Sequence, residues 1–170
     1  MKAQKFTLLI VDDNKDDLFF LTRAFQKHTS VYHIQTAAGG YEAVEYIEGK
    51  GKYADRKAYQ FPSYIVTDLK MNNGDGFEIL SRIRSNKALS IIPVIMLSAS
   101  NDVDDIRQAY EFGASAYFVK PTTSQALDTL VGKIHGYWSE CEVPTVDDQG
   151  IAMMTISKGK ASARFQHNNK

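Results

Sequence analysis

Five side chains in this sequence are suited to one chemistry. Asp12 and Asp13 are adjacent at the end of the apolar run "LLIVDDN"; Asp68 follows "YIVT", Ser98 follows "VIML" and Lys120 follows "AYFV". Adjacent carboxylates repel and Asp is a poor strand former, so a strand ending on two of them calls for a cation. Two or three Asp with a backbone carbonyl form the oxygen-only donor set that Mg²⁺ takes in octahedral geometry, with several waters kept. Once a metal neutralises its neighbours, one Asp can act as a nucleophile and form an aspartyl phosphate. Lys120 would then pair with one phosphoryl oxygen and Ser98 donate to another.

These residues meet only if the chain folds in a particular way, and its pattern predicts that fold. Phe6 to Val11 is a short, fully apolar strand. Asn14 is placed to cap a helix, with Asp16 and Asp17 in the first turn and Leu18, Leu21 and Phe25 at helical spacing. Val31 to Thr36 predicts a second strand, Gly39-Gly40 breaks it, and Ala43, Val44 and Ile47 mark a second helix. Ser63 to Thr67, Pro93 to Leu97 and Ser115 to Val119 predict three more strands. Helices follow them, carrying Phe77, Leu80 and Ile83; Val103, Ile106 and Tyr110; and Leu127, Leu130, Val131, Ile134 and Trp138. Gly113 is expected to end the fourth helix, and the last helix starts near Thr123 or Ser124.

Five βα repeats predict a doubly wound parallel sheet with helices on both faces. In the order 2-1-3-4-5 the chain reverses beside strand one, and ligands bind at such a switch point, outside the carboxyl ends of the strands. Asp12, Asp13, Asp68, Ser98 and Lys120 all fall at those ends. Each has an ordinary reading by itself: a turn, a cap, an exposed lysine. Their joint placement favours the chemical reading.

The rest of the sequence narrows the field. Net charge is zero, so nothing in the balance points to nucleic acid or membrane. A single cysteine, Cys141, rules out an internal disulfide framework. No apolar run approaches the roughly 20 residues of a membrane span, and Met1 to Lys5 carries no signal-peptide pattern. A soluble cytoplasmic protein is expected. The segment 49–62, "GKGKYADRKAYQFP", reads as a solvated loop. Residues 144–170 read as a flexible, basic tail, with "IAMMTI" as its one apolar piece.

The stretches "LLIVDDN", "IVTDLKMNNGDGFEIL", "PVIMLSAS" and "GASAYFVKP" together resemble the receiver domain of two-component response regulators, from about Phe6 to Tyr137. The long loop before strand three and "YWSECEVP" resemble the stand-alone regulators paired with phytochrome kinases. The resemblance implies a flavodoxin-like five-stranded fold with five helices, over residues 1–143. It implies Asp68 as phosphoacceptor and Asp12, Asp13, Asp68 and the Lys70 carbonyl as Mg²⁺ ligands. Ser98 takes the hydroxyl position and Lys120 the lysine. Tyr117 is the switch aromatic, and Lys120–Pro121 is expected to be a cis peptide, which only X–Pro bonds adopt cheaply. The implied partner is a sensor histidine kinase, of phytochrome type on the narrower resemblance.

One departure stands out. Asn72 occupies a position where the family often has Pro, and this is expected to loosen the loop that carries Lys70. After Pro144 the residues show no apolar periodicity from which to build a helix-turn-helix, so no output domain is expected. The expected role is a switch of protein–protein contacts; the chain is not expected to be an enzyme, catalysing only its own phosphorylation and dephosphorylation. A phosphorelay shuttle and a receiver-like module that is never phosphorylated remain as alternatives. A haloacid-dehalogenase-like phosphatase would need an acid where Lys70 stands. Tyr137 and Trp138 read equally as a homodimer contact or as the end of the core.

Overall fold

The computed structural model describes residues 6–28, 32–143 and 145–153. Five strands, β1 (Phe6–Val11), β2 (Tyr32–Ala37), β3 (Tyr64–Thr67), β4 (Val94–Ser98) and β5 (Ala116–Val119), form one parallel sheet in the order β2-β1-β3-β4-β5. The helices are α1 (Lys15–Gln26), α2 (Gly40–Glu48), α3 (Gly76–Ser85), α4 (Val103–Glu111) and α5 (Ser124–Glu140). This is the predicted doubly wound fold, with boundaries shifted by a residue or so. Val31, expected to start the second strand, lies outside the described residues.

Strand alternation divides the core in two. Leu8, Ile10, Tyr64, Val66, Ile95 and Leu97 pack with Leu21 and Phe25 of α1 and Val131 and Ile134 of α5. Leu9, Val11, Ile65, Val94 and Met96 face the other way, onto Ile47 of α2 and Ile79, Leu80 and Ile83 of α3. Each such side chain contributes about 1.5–3 kcal/mol when fully buried. Because both faces are covered, the strands read as continuous apolar runs. The cap is as expected at α1, where the Asn14 side chain accepts from the backbone N–H groups of Asp16 and Asp17; at α5 the Thr123 side chain accepts from Ala126 N–H, which sets the helix start at Ser124.

Three expectations change. The segment 49–62 is ordered by its tyrosines: a 3₁₀ turn at Gly51–Ala54 buries Tyr53, whose ring lies 5.0 Å from those of Tyr46 and Tyr59. Arg56 stacks 3.9 Å from the Phe61 ring and donates to the Tyr46 and Ile47 carbonyls in the last turn of α2. Next, the start of the expected tail forms a hairpin, β6 (Thr145–Val146) with β7 (Ala152–Met153). Its turn is held by Asp147, which accepts from the N–H groups of Gln149 and Ile151. Val146 packs on the core, and residues 154–170 lie outside the described ones. Last, the expected apolar face of α4 does not turn inward: Ala109 is buried while Val103 and Tyr110 are exposed. Trp138 stacks on Tyr64, with ring centroids 5.5 Å apart, and completes the core; its neighbour Tyr137 is exposed.

Candidate functional site

The sheet registers its carboxyl edge through backbone bonds that continue past the strand ends. Asp12 N–H donates to Ala37 O, Asp68 N–H to Val11 O, and Lys120 N–H to Ser98 O. Residues at the ends of all five strands are thereby fixed at one edge, as the predicted switch point requires.

The cation that meets Asp12 is, in this structure, Lys120. Its ammonium donates to Asp12 Oδ2 at 2.7 Å, Asp68 Oδ2 at 2.7 Å and Asp17 Oδ2 at 2.9 Å. Asp12 is fully buried, and the side chains of Asp68 and Lys120 are 11% and 12% exposed. Burial pushes the Asp12 carboxyl above the usual carboxylate range, against the hydrogen bonds from Lys120 and the Asn14 N–H. Burial also works to lower the Lys120 pKa, but hydrogen bonds to Asp12, Asp68 and Asp17 outweigh it and hold the ammonium above its ordinary range. The two oxygens of Asp68 are unequal. Oδ1 accepts from the N–H groups of Leu69 at 2.6 Å and Lys70 at 3.4 Å, whereas Oδ2 meets Lys120.

Asp13 does not join this cluster. Its Oδ2 accepts from the backbone N–H of Asn72 at 2.7 Å and the Asn72 side-chain amide at 2.9 Å. Among the described residues, no three acidic, His or Cys side chains are grouped as a metal cluster; of the expected carboxylate ligands, Asp12 and Asp68 meet Lys120 and Asp13 meets Asn72. The same contacts correct the reading of Asn72 as a loosening substitution. A proline there has no N–H to donate, whereas Asn72 ties the β3–α3 loop to the end of β1 twice. Gly40 N–H and Tyr41 N–H, at the start of α2, hold the loop again through the carbonyls of Gly74 and Asn73. Gly74 adopts φ +81°, and a Cβ on Gly76 would lie 2.7 Å from Asp68 O, so neither position accepts a larger residue easily.

Ser98 is buried at the end of β4, and its Oγ accepts from Ser100 N–H at 3.4 Å. The Tyr117 hydroxyl donates to Ser100 O at 2.9 Å. The Lys70 ammonium and the Ser100 hydroxyl both meet Asp105 Oδ2, joining the β3–α3 loop to α4 across the rim. The described residues contain no cis peptide bond, so Lys120–Pro121 is trans. For X–Pro bonds trans is the lower isomer by about 0.5–1 kcal/mol, and Lys120 reaches its three carboxylates from it.

Sequence reasoning missed Asp17, Asn72 as a tether, and Asp105. Asp17 was legible as a first-turn acid of α1. Only the packing of α1 against α5, the helix that follows Lys120, brings it to that ammonium.

Comparison with known proteins gives a consistent result. The family model described as "Response regulator receiver domain" matches residues 8–132. The probable methanogenesis regulatory protein FilR2 of Methanothrix harundinacea is 32% identical over 136 residues, 78% of this chain and 83% of that protein. Response regulator Rcp1 of Synechocystis is 28% identical over 133 residues, 78% of this chain and 88% of that protein. A crystal structure of Mn²⁺-bound Rcp1 superposes with a TM-score of 0.74 at 27% identity, over 82% of this chain and 99% of the other. The phosphorylated cyanobacterial phytochrome response regulator RcpA superposes with a TM-score of 0.77 at 30% identity, over 83% of this chain and 99% of the other.

Proposed function

We propose, from the premise that the chain belongs to the response regulator receiver domain family, that Asp68 takes a phosphoryl group from a sensor histidine kinase and that this switches protein–protein contacts. The observation that carries the reading is the Lys120 ammonium, 2.7 Å from both Asp12 and Asp68 at the carboxyl edge of the sheet. The relatives described as phytochrome response regulators favour a phytochrome-type kinase as the donor. The cytoplasm, where ATP feeds such kinases, is the compartment we assign; among the described residues no helix is long and apolar enough to cross a membrane.

The donor chemistry suits a hard divalent cation. Asp12, Asp13, Asp68 and the Lys70 carbonyl offer oxygen alone, as Mg²⁺ prefers, and Rcp1 has a Mn²⁺-bound form. When bound, such an ion offsets the carboxylate charge and that of the incoming phosphoryl oxygens.

The chain's own residues do the rest. Asp68 Oδ2, free of backbone N–H donors, attacks phosphorus while Oδ1 stays anchored by Leu69 and Lys70. The new O–P bond forms as the donor's bond to phosphorus breaks. Lys120 moves its charge to a phosphoryl oxygen, and Ser98 turns its hydroxyl from its own loop to another. Withdrawal of Ser98 opens space beside Tyr117, whose hydroxyl now rests on Ser100 O. Rotation of that ring biases a two-state surface at α4, β5 and α5. A phosphatase reading lacks its second acid: Lys70 stands two residues after Asp68, and its ammonium pairs with Asp105.

The test is labelling by acetyl phosphate and by a cognate kinase. Mg²⁺-dependent label on the parent chain, absent from Asp68→Asn and with EDTA, supports the proposal. Label that persists in either case overturns it.

A further inference from the structure

We infer that Asp17 is a positioning residue that holds Lys120 over Asp68 when the other carboxylates turn to a divalent cation; this rests on the phosphoacceptor reading above. An ammonium has three N–H donors, and each one of Lys120 has a carboxylate: Asp12, Asp68 and Asp17. Asp12 and Asp68 belong to the oxygen set that suits the cation. Asp17 does not, so it is the partner that Lys120 keeps when a cation draws on the other two.

The surroundings support a fixed tether over a chance surface pair. Asp17 N–H donates to the Asn14 cap at 3.2 Å, which locks the first turn of α1. Lys120 N–H donates to Ser98 O at 2.8 Å, which locks the end of β5. Between them lies a small cavity of about 30 Å³, lined by Asp17, Leu21, Leu97, Lys120, Pro121 and Leu127. The lysine stem thus runs beside apolar walls on which Asp17 is the other charged group. With Asp17 gone, the ammonium is shared by Asp12 and Asp68 alone and must be displaced before those oxygens reach a cation.

The experiment is a double-mutant cycle read by Mn²⁺ affinity, from the electron paramagnetic resonance signal of free Mn²⁺ at 0.15 M ionic strength. Asp17→Ala is expected to weaken binding about threefold to tenfold in the parent chain, and by less than about twofold in a Lys120→Ala background. The isosteric Asp17→Asn, which keeps the helix start intact, is expected to move in the same direction by a smaller factor. An equal loss in both backgrounds would reduce Asp17 to a through-space charge and overturn the inference. So would unchanged affinity in the parent chain. A parent chain that binds no Mn²⁺ and takes no label would instead sink the phosphoacceptor reading, so the two failures are distinct.

Discussion

Lys120 Nζ lies 2.7 Å from Asp68 Oδ2, the oxygen of that carboxylate that accepts no backbone N–H, while Oδ1 is held by Leu69 and Lys70. One side chain therefore carries an anchored oxygen and an available one, with a cation beside the available one. Its neighbour Asp12 is fully buried and depends on the same ammonium.

Removing Lys120 should therefore cost stability as well as function. Breaking a buried ion pair on one side typically costs about 3–5 kcal/mol, because the remaining charge is left unpaired. Lys120→Ala is expected to lower the urea midpoint accordingly and to regain part of the loss in millimolar Mg²⁺. A variant as stable as the parent in EDTA would contradict the role given to this contact.

Gly76 tests how closely the β3–α3 loop that follows Asp68 is packed. A Cβ there would sit 2.7 Å from Asp68 O and 3.1 Å from Leu69 Cα, both backbone. Gly76→Val is expected to cost about 1–3 kcal/mol and to reduce Mg²⁺-dependent labelling more than tenfold through displacement of Asp68. Labelling at the parent rate would show that the loop gives way without moving the carboxylate.

Arg84 offers a structural contrast away from the site. It donates from Nε and Nη2 to Gly113 O, and from Nη1 to Ser90 O and Ile92 O, fastening α3 to the loops around β4 and the end of α4. Arg84→Ala should destabilise by about 2–4 kcal/mol, given several charge-assisted bonds to carbonyls that would lose their donor. Arg84→Lys should recover little, since an ammonium lacks the planar fork. Urea unfolding would decide, with metal affinity expected to stay near the parent value.

The contact between α1 and α5 is expected to be acid-sensitive. Tyr64 donates to the Tyr32 hydroxyl, which in turn meets His135 Nδ1 at 2.9 Å, and His28 stacks on His135 with centroids 4.0 Å apart. Burial first, and His28 second, hold the His135 imidazole below its usual range. The unfolded chain thus takes the proton first, so this group's contribution falls as pH drops through about 6.5 and levels off below the folded pKa. His135→Gln is expected to flatten the difference in urea midpoint between pH 8 and pH 5.5. An unchanged slope would assign the sensitivity to other groups.

The sequence by itself determined the architecture and which polar side chains stand at the carboxyl ends of the strands. Apolar runs of strand length, alternating with helical stripes, leave few topologies, and right-handed crossovers bring the strand ends carrying Asp12, Asp68, Ser98 and Lys120 to one edge. Local chemistry was equally legible: Asn14 and Thr123 cap helices because their side-chain oxygens accept backbone N–H groups one turn on. Only the tertiary structure decided which carboxylate meets which cation. Asp17 reaches Lys120 from α1, and Asp13 turns to Asn72, because α1 packs against α5 and the β3–α3 loop closes over the end of β1. Tertiary packing likewise ordered the tyrosines of 49–62 and left Val103 and Tyr110 of α4 exposed. Periodicity reports which side of an element is apolar, but long-range contacts determine whether a second surface covers it.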